Sequence, residues 1–414
     1  VEILRIGIDV GGTFTDVVAI DAGMRTVVAR VKTPTTHAAP EGVAAGIVEG
    51  LRRILEFPEV RPEAIAFIAH STTQATNALL EGDLARVGVI GLLDKYGWFA
   101  RAQMRGLAPS DLTRFVRAGD SAALRAATDA LLAQGVEAIA ASDAFGVDRP
   151  AREAAVVAYA RERGVPATAG HEVSSLYGLR ARTRTAVFNA AILPTMTRTS
   201  AMTAAAVRRA GITAPLMIMR SDGGVMDARE VARRPILTML SGPAAGIAGA
   251  LLHENVTEGI FIEAGGTSAD LSVIRRGLPQ MRPARIGKHR TMLRTLDVRT
   301  IAIAGGSLPR MDPAGRGVAA LRDVGPRSAH IAGLRYACFT SAQALIGARI
   351  VFVRPRADDP DDYLTLASDE GTHAAITPTC AANLLGYVPQ SAFARGDIGS
   401  ARVAFEIVGA RFGC

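Results

Sequence analysis

Hydrophobic and polar positions along the chain fall into short β-branched runs separated by stretches of helical spacing. Ile3–Val10 and Asp16–Ile20 read as two strands joined through Gly11-Gly12-Thr13, a hairpin by spacing. A further short strand is expected over Thr26–Lys32. The segment EGVAAGIVEGLRRILEF (41–57) then carries the helical period and stops before Pro58. AIAFIAHST (64–72) is strand-like, TTQATNALLEG (72–82) resembles a helix closed by Gly82, and RVGVIGLL (86–93) is again a strand. Helices over 121–135 and 150–164 flank a strand at 136–142. This order of a meander followed by alternating helices and strands suits a mixed sheet covered by helices.

The second half opens with a long helical region, Thr183–Ala210, that contains Pro194. PLMIMRSDGG (215–224) predicts a strand ending in a Gly-Gly turn. SGPAAGIAGALLHE (241–254) predicts a helix with Pro243 in its first turn and Gly242, Gly246 and Gly249 near one face, where a neighbour can approach closely. TIAIAGGSLP (300–309) reads as a strand followed by Gly305-Gly306-Ser307.

One pattern recurs. Residues 6–20, IGIDVGGTFTDVVAI, align without a gap on residues 260–274, IFIEAGGTSADLSVI, at a constant offset of 254. Gly11, Gly12 and Thr13 fall on Gly265, Gly266 and Thr267, Asp16 falls on Asp270, and Asp9 is matched by Glu263. Two hairpins in one register, far apart, point to two structurally related halves.

Glycines in a tight hairpin let backbone N–H groups face an anion with no Cβ in the way. Thr13, Thr15, Thr267 and Ser268 add hydroxyl donors for phosphate oxygens. A carboxylate beside such a loop repels phosphate unless a cation lies between them. Mg²⁺ takes one or two carboxylates along with phosphate oxygens and water. Asp9 is therefore the expected catalytic, metal-holding residue, with Asp270 as its counterpart and Glu263 as a further partner; Asp16 belongs to the same loop. Two such hairpins facing each other would clamp a polyphosphate, and Gly305-Gly306-Ser307 would receive adenine or ribose. ATP and Mg²⁺ are the cofactors this reading calls for.

Composition narrows the alternatives. About half the residues are apolar and 21% are charged, a globular composition, and 414 residues suggest two domains. The net charge of +8 comes almost wholly from arginine, lysine standing only at 32, 95 and 288, and aromatic residues make up 5%. That scarcity argues against base-stacking platforms and nucleic acid. No apolar run reaches the roughly eighteen residues of a membrane span, and no signal peptide is visible. Cys338, Cys380 and Cys414 form neither a disulfide framework nor a zinc cluster, and a cytoplasmic setting is expected. Neither H-x-H nor H-E-x-x-H occurs, so a metal-dependent cyclic amidohydrolase mechanism has no support. His70, beside Ser71, Thr72, Thr73 and Asn77, reads either as part of a polar cluster facing substrate or as a satisfied histidine at a helix cap. Asp222 reads as a turn aspartate or a second cleft carboxylate, and Asp297, which precedes a strand, as a plain structural residue in preference to a contact on the nucleotide side.

Six motifs in sequence carry a resemblance. IDVGGTFTDVV, HSTTQATNALLE (70–81), RSDGGVM (220–226), LSGPAAGIAGA (240–250), EAGGTSADLSVI (263–274) and TLDVRTIAIAGGS (295–307) occur in the order seen in the hydantoinase A/oxoprolinase family. VGPRSAHIAGL (324–334) and TPTCAANLLGYVP (377–389) are similar to one branch of it. The resemblance implies an α/β fold of the actin-like ATPase superfamily, with two ribonuclease-H-like lobes around a nucleotide cleft. On that reading residues 1–182 form the N-terminal lobe and 183–414 the second, which is expected to be truncated at its C-terminal end. It implies an ATP-dependent hydrolase that activates a cyclic amide of the hydantoin or 5-oxoproline type by phosphorylation. Relatives that carboxylate ketones, small-metabolite kinases and non-catalytic actin-like ATPases are the alternatives. A hydantoinase B type subunit is the implied partner.

Overall fold

The computed structural model describes residues 3–11, 14–36, 43–82, 84–95, 97–368, 371 and 373–413. The chain divides into two compact units, Val1–Thr257 with Arg275–Asp297, and Glu258–Ile274 with Val298–Cys414.

In the first unit, β1 (Leu4–Val10), β2 (Phe14–Asp21) and β3 (Val27–Pro34) form an antiparallel meander. β4 (Ile65–Thr72) lies parallel to β1 on its other side. β5 (Val87–Leu93), β6 (Thr113–Arg117), β7 (Ala138–Asp143) and β8 (Ala167–Ala169) make a separate parallel sheet in the order β6-β5-β7-β8. β9 (Leu216–Met219) and β10 (Val225–Asp227) complete the first sheet, in the order β10-β9-β4-β1-β2-β3.

Alternation decides which side of the first sheet is buried. Leu4, Ile6, Ile8 and Val10 of β1 are buried together with Val17 and Ala19 of β2, while Arg5 is exposed. The helix Val43–Ile54 covers this face with Val43, Ile47, Leu51 and Ile54, the spacing of one apolar helical stripe. Gly50 makes the contact close: a Cβ there would stand 2.6 Å from Cγ2 of Val17.

The Leu179–Arg209 helix runs unbroken through Pro194. Its Ala186, Ala190 and Ala191 pack on Val87, Val89, Ala138 and Ala140 behind the parallel sheet. Further on, Ile192, Met196 and Val207 of the same helix enter the core of the first sheet. The expected boundary at 182/183 therefore falls inside a helix that serves two cores. The first unit also reclaims residues 275–297, because the hairpin Met281–Ile286/His289–Leu296 buries Ala284, Ile286 and Leu293 in its core.

The second unit contains β11 (Glu258–Ala264) and β12 (Ala269–Arg275), with Val298–Ile301 antiparallel to β12. A further sheet includes Ser307–Met311, Leu321–Ser328 and Tyr363–Ala367, and its core takes in Ala401, Ala404 and Phe412 of the helix Ile398–Phe412. The strand expected over 300–304 ends at Ile301. Beyond it the backbone turns to bond the second hairpin, as described below. The helix Gly97–Met104 and strand β6 fall in a stretch, 94–120, where the sequence predicts no element.

Candidate functional site

The repeat seen in the sequence is also a repeat of geometry. β1 and β11 occupy matching residues at the offset of 254. Each hairpin is closed by one backbone bond at the same place, Gly11 N–H to the Phe14 carbonyl and Gly265 N–H to the Ser268 carbonyl, both 2.9 Å. In each, a Cβ on the first glycine would press on that carbonyl, at 3.1 and 3.2 Å. Gly12 and Thr13 lie outside the described residues.

Around the first hairpin, strand register sets four polar side chains in a row. Ser71 on β4 pairs with Asp9 on β1, Asp9 with Asp16 on β2, and Asp16 with Lys32 on β3. Ser71 Oγ donates to Asp9 Oδ1. Lys32 Nζ donates to Asp16 Oδ1 at 2.7 Å and stands over the Phe14 ring. Burial, with a smaller push from Asp16, raises the Asp9 carboxyl above its usual range, while Ser71 and Lys32 pull it down. The helix Ser241–Glu254 begins beside this row. Ser241 Oγ accepts from Thr72 N–H at 3.1 Å and donates to the Thr72 carbonyl at 3.0 Å, and a Cβ on Gly242 would come 3.6 Å from Asp9 Oδ1. A half-buried carboxylate that its surroundings leave short of positive charge is chemically suited to a hydrated divalent cation.

Thr15 faces the other way. Its hydroxyl is buried, meets Thr35 Oγ1 at 3.2 Å, and lies against the covering helix, so it braces the hairpin from behind. Thr35 in turn donates to the Gly11 carbonyl at 2.9 Å.

In the second unit the structure brings the two glycine clusters together. Gly305 N–H donates to the Gly265 carbonyl at 3.0 Å and Gly306 N–H to the Gly266 carbonyl at 2.8 Å. A Cβ on Gly306 would stand 2.6 Å from the Gly266 carbonyl oxygen and overlap the Tyr336 hydroxyl, so only glycine fits there. Thr379 anchors the pair, donating its hydroxyl to the Gly305 carbonyl at 2.8 Å. Ser307 is buried, and its hydroxyl accepts from Ala304 N–H at 2.9 Å, which makes it a turn brace. The hydroxyls of Thr267 and Ser268 meet no partner among the described residues. Asp270 accepts from Thr300 Oγ1 at 2.5 Å, and burial raises its carboxyl. Glu263 is exposed.

The other candidates resolve simply. Asp222 is a turn aspartate, paired with Arg220 at 2.5 Å and accepting from Gly224 N–H at 3.1 Å. Asp297 pairs with Arg282. His70 is neither cap nor exposed ligand: it is buried on the apolar face opposite Asp9, and both ring nitrogens lack a partner among the described residues. Sequence reasoning missed Lys32, Ser71 as the partner of Asp9, and Tyr336 and Thr379 around Gly305-Gly306. Lysine in a chain that otherwise uses arginine was the one available signal for Lys32. Among the described residues no three His, Cys, Asp or Glu side chains converge as a ready-made metal cage, and no helix is long and apolar enough to cross a membrane.

The family model described as hydantoinase/oxoprolinase matches residues 182–412, and that of the hydantoinase/oxoprolinase N-terminal region matches residues 5–97. Caprolactamase subunit alpha of Pseudomonas jessenii is 29% identical over 362 residues, covering 78% of this chain and 50% of that protein. Among solved structures, nucleotide-free acetone carboxylase, described for ATP-dependent acetone carboxylation, matches with a TM-score of 0.68 at 20% identity. That match covers 100% of this chain and 59% of the other. The ATP-dependent caprolactamase of Pseudomonas jessenii matches with a TM-score of 0.66 at 24% identity, over 99% of this chain and 59% of that one. The α/β fold expected from the sequence is the fold of these two enzymes. The chain spans about half the length of the curated relatives it matches.

Proposed function

Because the chain belongs to the hydantoinase/oxoprolinase family, we propose that it is the ATP-handling part of an enzyme that opens a cyclic amide. The observation that carries this reading is the duplicated hairpin, closed by the same bond in each unit and flanked by Asp9 in one and Asp270 in the other. Both hairpins serve the phosphates of ATP. Asp9 and Asp270 would hold Mg²⁺ through water, and the bound cation supplies charge neutralisation for the phosphates. Gly11, Gly12, Thr13, Asp16, Gly265, Gly266, Thr267 and Ser268 shape the two loops, with Thr15 bracing the first from behind. Gly305, Gly306 and Ser307 form the nucleoside side.

An amide carbonyl is a poor electrophile, and transfer of the γ-phosphoryl group to its oxygen turns that oxygen into a leaving group. The bond from the terminal phosphorus to ADP breaks as the bond to the amide oxygen forms. Water then adds to the carbon and the ring C–N bond opens to leave an acyl phosphate, the ring nitrogen taking the proton. A second water adds to the same carbon and phosphate departs with the former amide oxygen, so both oxygens of the new carboxylate come from water. For this the chain need only position the phosphates and stabilise charge. A second subunit, of hydantoinase B type, completes the enzyme in this reading, consistent with the subunit designation of the caprolactamase relative.

The test is isotopic. With 5-oxoproline, a hydantoin or caprolactam labelled with ¹⁸O in the ring carbonyl, the label should appear in released phosphate. Turnover that requires a ketone and bicarbonate instead would favour the carboxylase reading, which the likeness to acetone carboxylase keeps in play. Label retained wholly in the organic product would overturn the departure of phosphate with the amide oxygen, and ring opening without consumption of ATP would overturn phosphoryl activation of the amide.

A further inference from the structure

The parallel sheet of the first unit holds a feature that the nucleotide reading does not use. In its order β6-β5-β7-β8 all four strands are parallel, and the connections from β5 to β6 and from β7 to β8 lead outward in opposite directions from the β5/β7 pair. The carboxyl ends of two such strands bound the crevice where open parallel sheets hold ligands. A cavity of about 740 Å³ lies there, reached by Leu92 and Asp94 from the end of β5 and by Ala144 and Phe145 from the end of β7. That volume suits a small organic molecule. None of the described residues of the first hairpin lines it.

The walls are apolar and aromatic. Trp98 and Phe99 of the helix Gly97–Met104 line it with Phe145, and Trp98 is 74% exposed, a large apolar surface left to solvent. One end is electropositive. The Leu179–Arg209 helix starts at the cavity with no side-chain cap at Gly178, and its first helical bond runs from Arg182 N–H to the Gly178 carbonyl. The N–H groups of Leu179, Arg180 and Ala181 reach no acceptor among the described residues. Arg180 donates only to the carbonyls of Gln103 and Arg105, at 2.9 and 3.1 Å, and meets no carboxylate among those residues. Asp94, the one acid in the lining, is engaged by Arg149 and Arg152.

We propose that this cavity is a second ligand site, which takes a small organic carboxylate. The apolar, ring-sized body of that ligand lies against Trp98, Phe99 and Phe145, and its carboxylate meets Arg180 and the helix start. An inorganic anion would leave the aromatic walls uncovered, and a neutral ring would leave the positive end unmatched. The proposal stands apart from the ATP reading and survives its failure.

Trp98 is the sole tryptophan of the chain, so its fluorescence reports on this wall. The full chain is titrated with cyclohexanecarboxylate, with the neutral cyclohexanecarboxamide and with inorganic phosphate, and binding is measured in parallel by calorimetry. The carboxylate should give a saturable change, with the amide about tenfold weaker and phosphate inert, as expected when one charge-assisted hydrogen bond is lost. Arg180→Gln should weaken the carboxylate about tenfold and leave the amide unchanged. Trp98→Ala should weaken both, as read by calorimetry. Equal affinity for carboxylate and amide, an unchanged affinity in Arg180→Gln, or no saturable heat with any of the three would overturn the proposal. A circular dichroism spectrum matching the parent's shows that each variant is folded.

Discussion

Ser71 donates its hydroxyl to the Asp9 carboxylate across the parallel pair of β4 and β1. That bond stabilises the charged form of an acid whose burial disfavours charge. An acid whose pKa is higher in the folded chain than in the unfolded one binds protons more tightly when folded, so it costs stability once the pH exceeds its ordinary value. Asp9→Asn removes that cost. The variant should melt at a higher temperature than the parent at pH 7, and the gain should shrink as the pH falls through the folded pKa of Asp9. Nucleotide turnover should fall by about a hundredfold or more, as when a preorganised charged group is removed. A lower melting temperature at neutral pH, or retained turnover, would contradict the role given to Asp9.

His70 gives a second pH signature. Burial without a partner lowers its pKa to about 4 from 6.5. The unfolded chain therefore binds a proton that the folded chain refuses, so stability is full above pH 6.5 and declines as the pH falls toward 4. The loss should approach ~3 kcal/mol over that window. His70→Leu should flatten this part of the curve in urea denaturation, and a variant that remains as acid-sensitive as the parent would assign the effect elsewhere.

Gly50 tests the packing behind the first hairpin. Gly50→Ala places a methyl group 2.6 Å from Val17 Cγ2. Overpacking of that kind costs about 1–3 kcal/mol, offset in part by the better helix propensity of alanine. Adding Val17→Ala should make the pair less destabilising than the sum of the two single changes, measured as a double-mutant cycle. Simple additivity would show that the close approach is not what fixes glycine there.

Gly306→Ala should be worse than Gly305→Ala. At 306 the new methyl meets the backbone carbonyl of Gly266 at 2.6 Å, which cannot rotate away; at 305 it meets the Thr379 hydroxyl at 2.7 Å, which can. ATP binding by the first variant should weaken strongly, and Tyr336→Phe should rescue it only in part because the carbonyl clash remains. Complete rescue would place the conflict at the phenol alone.

The hairpins were legible because glycine pairs and acids at a constant offset survive any change in packing. The direction of Thr15 follows from strand alternation, which puts it on the buried face with Val17 and Ala19, under the covering helix; counting it among the phosphate donors passed over that parity. Thr15 and Ser307 carry hydroxyls of the type a phosphate loop wants, yet both are spent on the protein. The strand β6 escaped because the stretch around it has no clear period. The long helix through residue 182 was recognised as an element but not as a shared support, since local pattern does not say that one helix feeds two different cores. Lys32 and Ser71 became meaningful only when strand register set them beside Asp16 and Asp9.

The bonding of Gly305 and Gly306 to Gly265 and Gly266 means that two motifs forty residues apart in the chain are one mechanical part. Transplanting either into another scaffold would leave its amides or carbonyls dangling. A swap intended to alter nucleotide preference must carry residues 265–268, 304–307, Tyr336 and Thr379 as a single cassette.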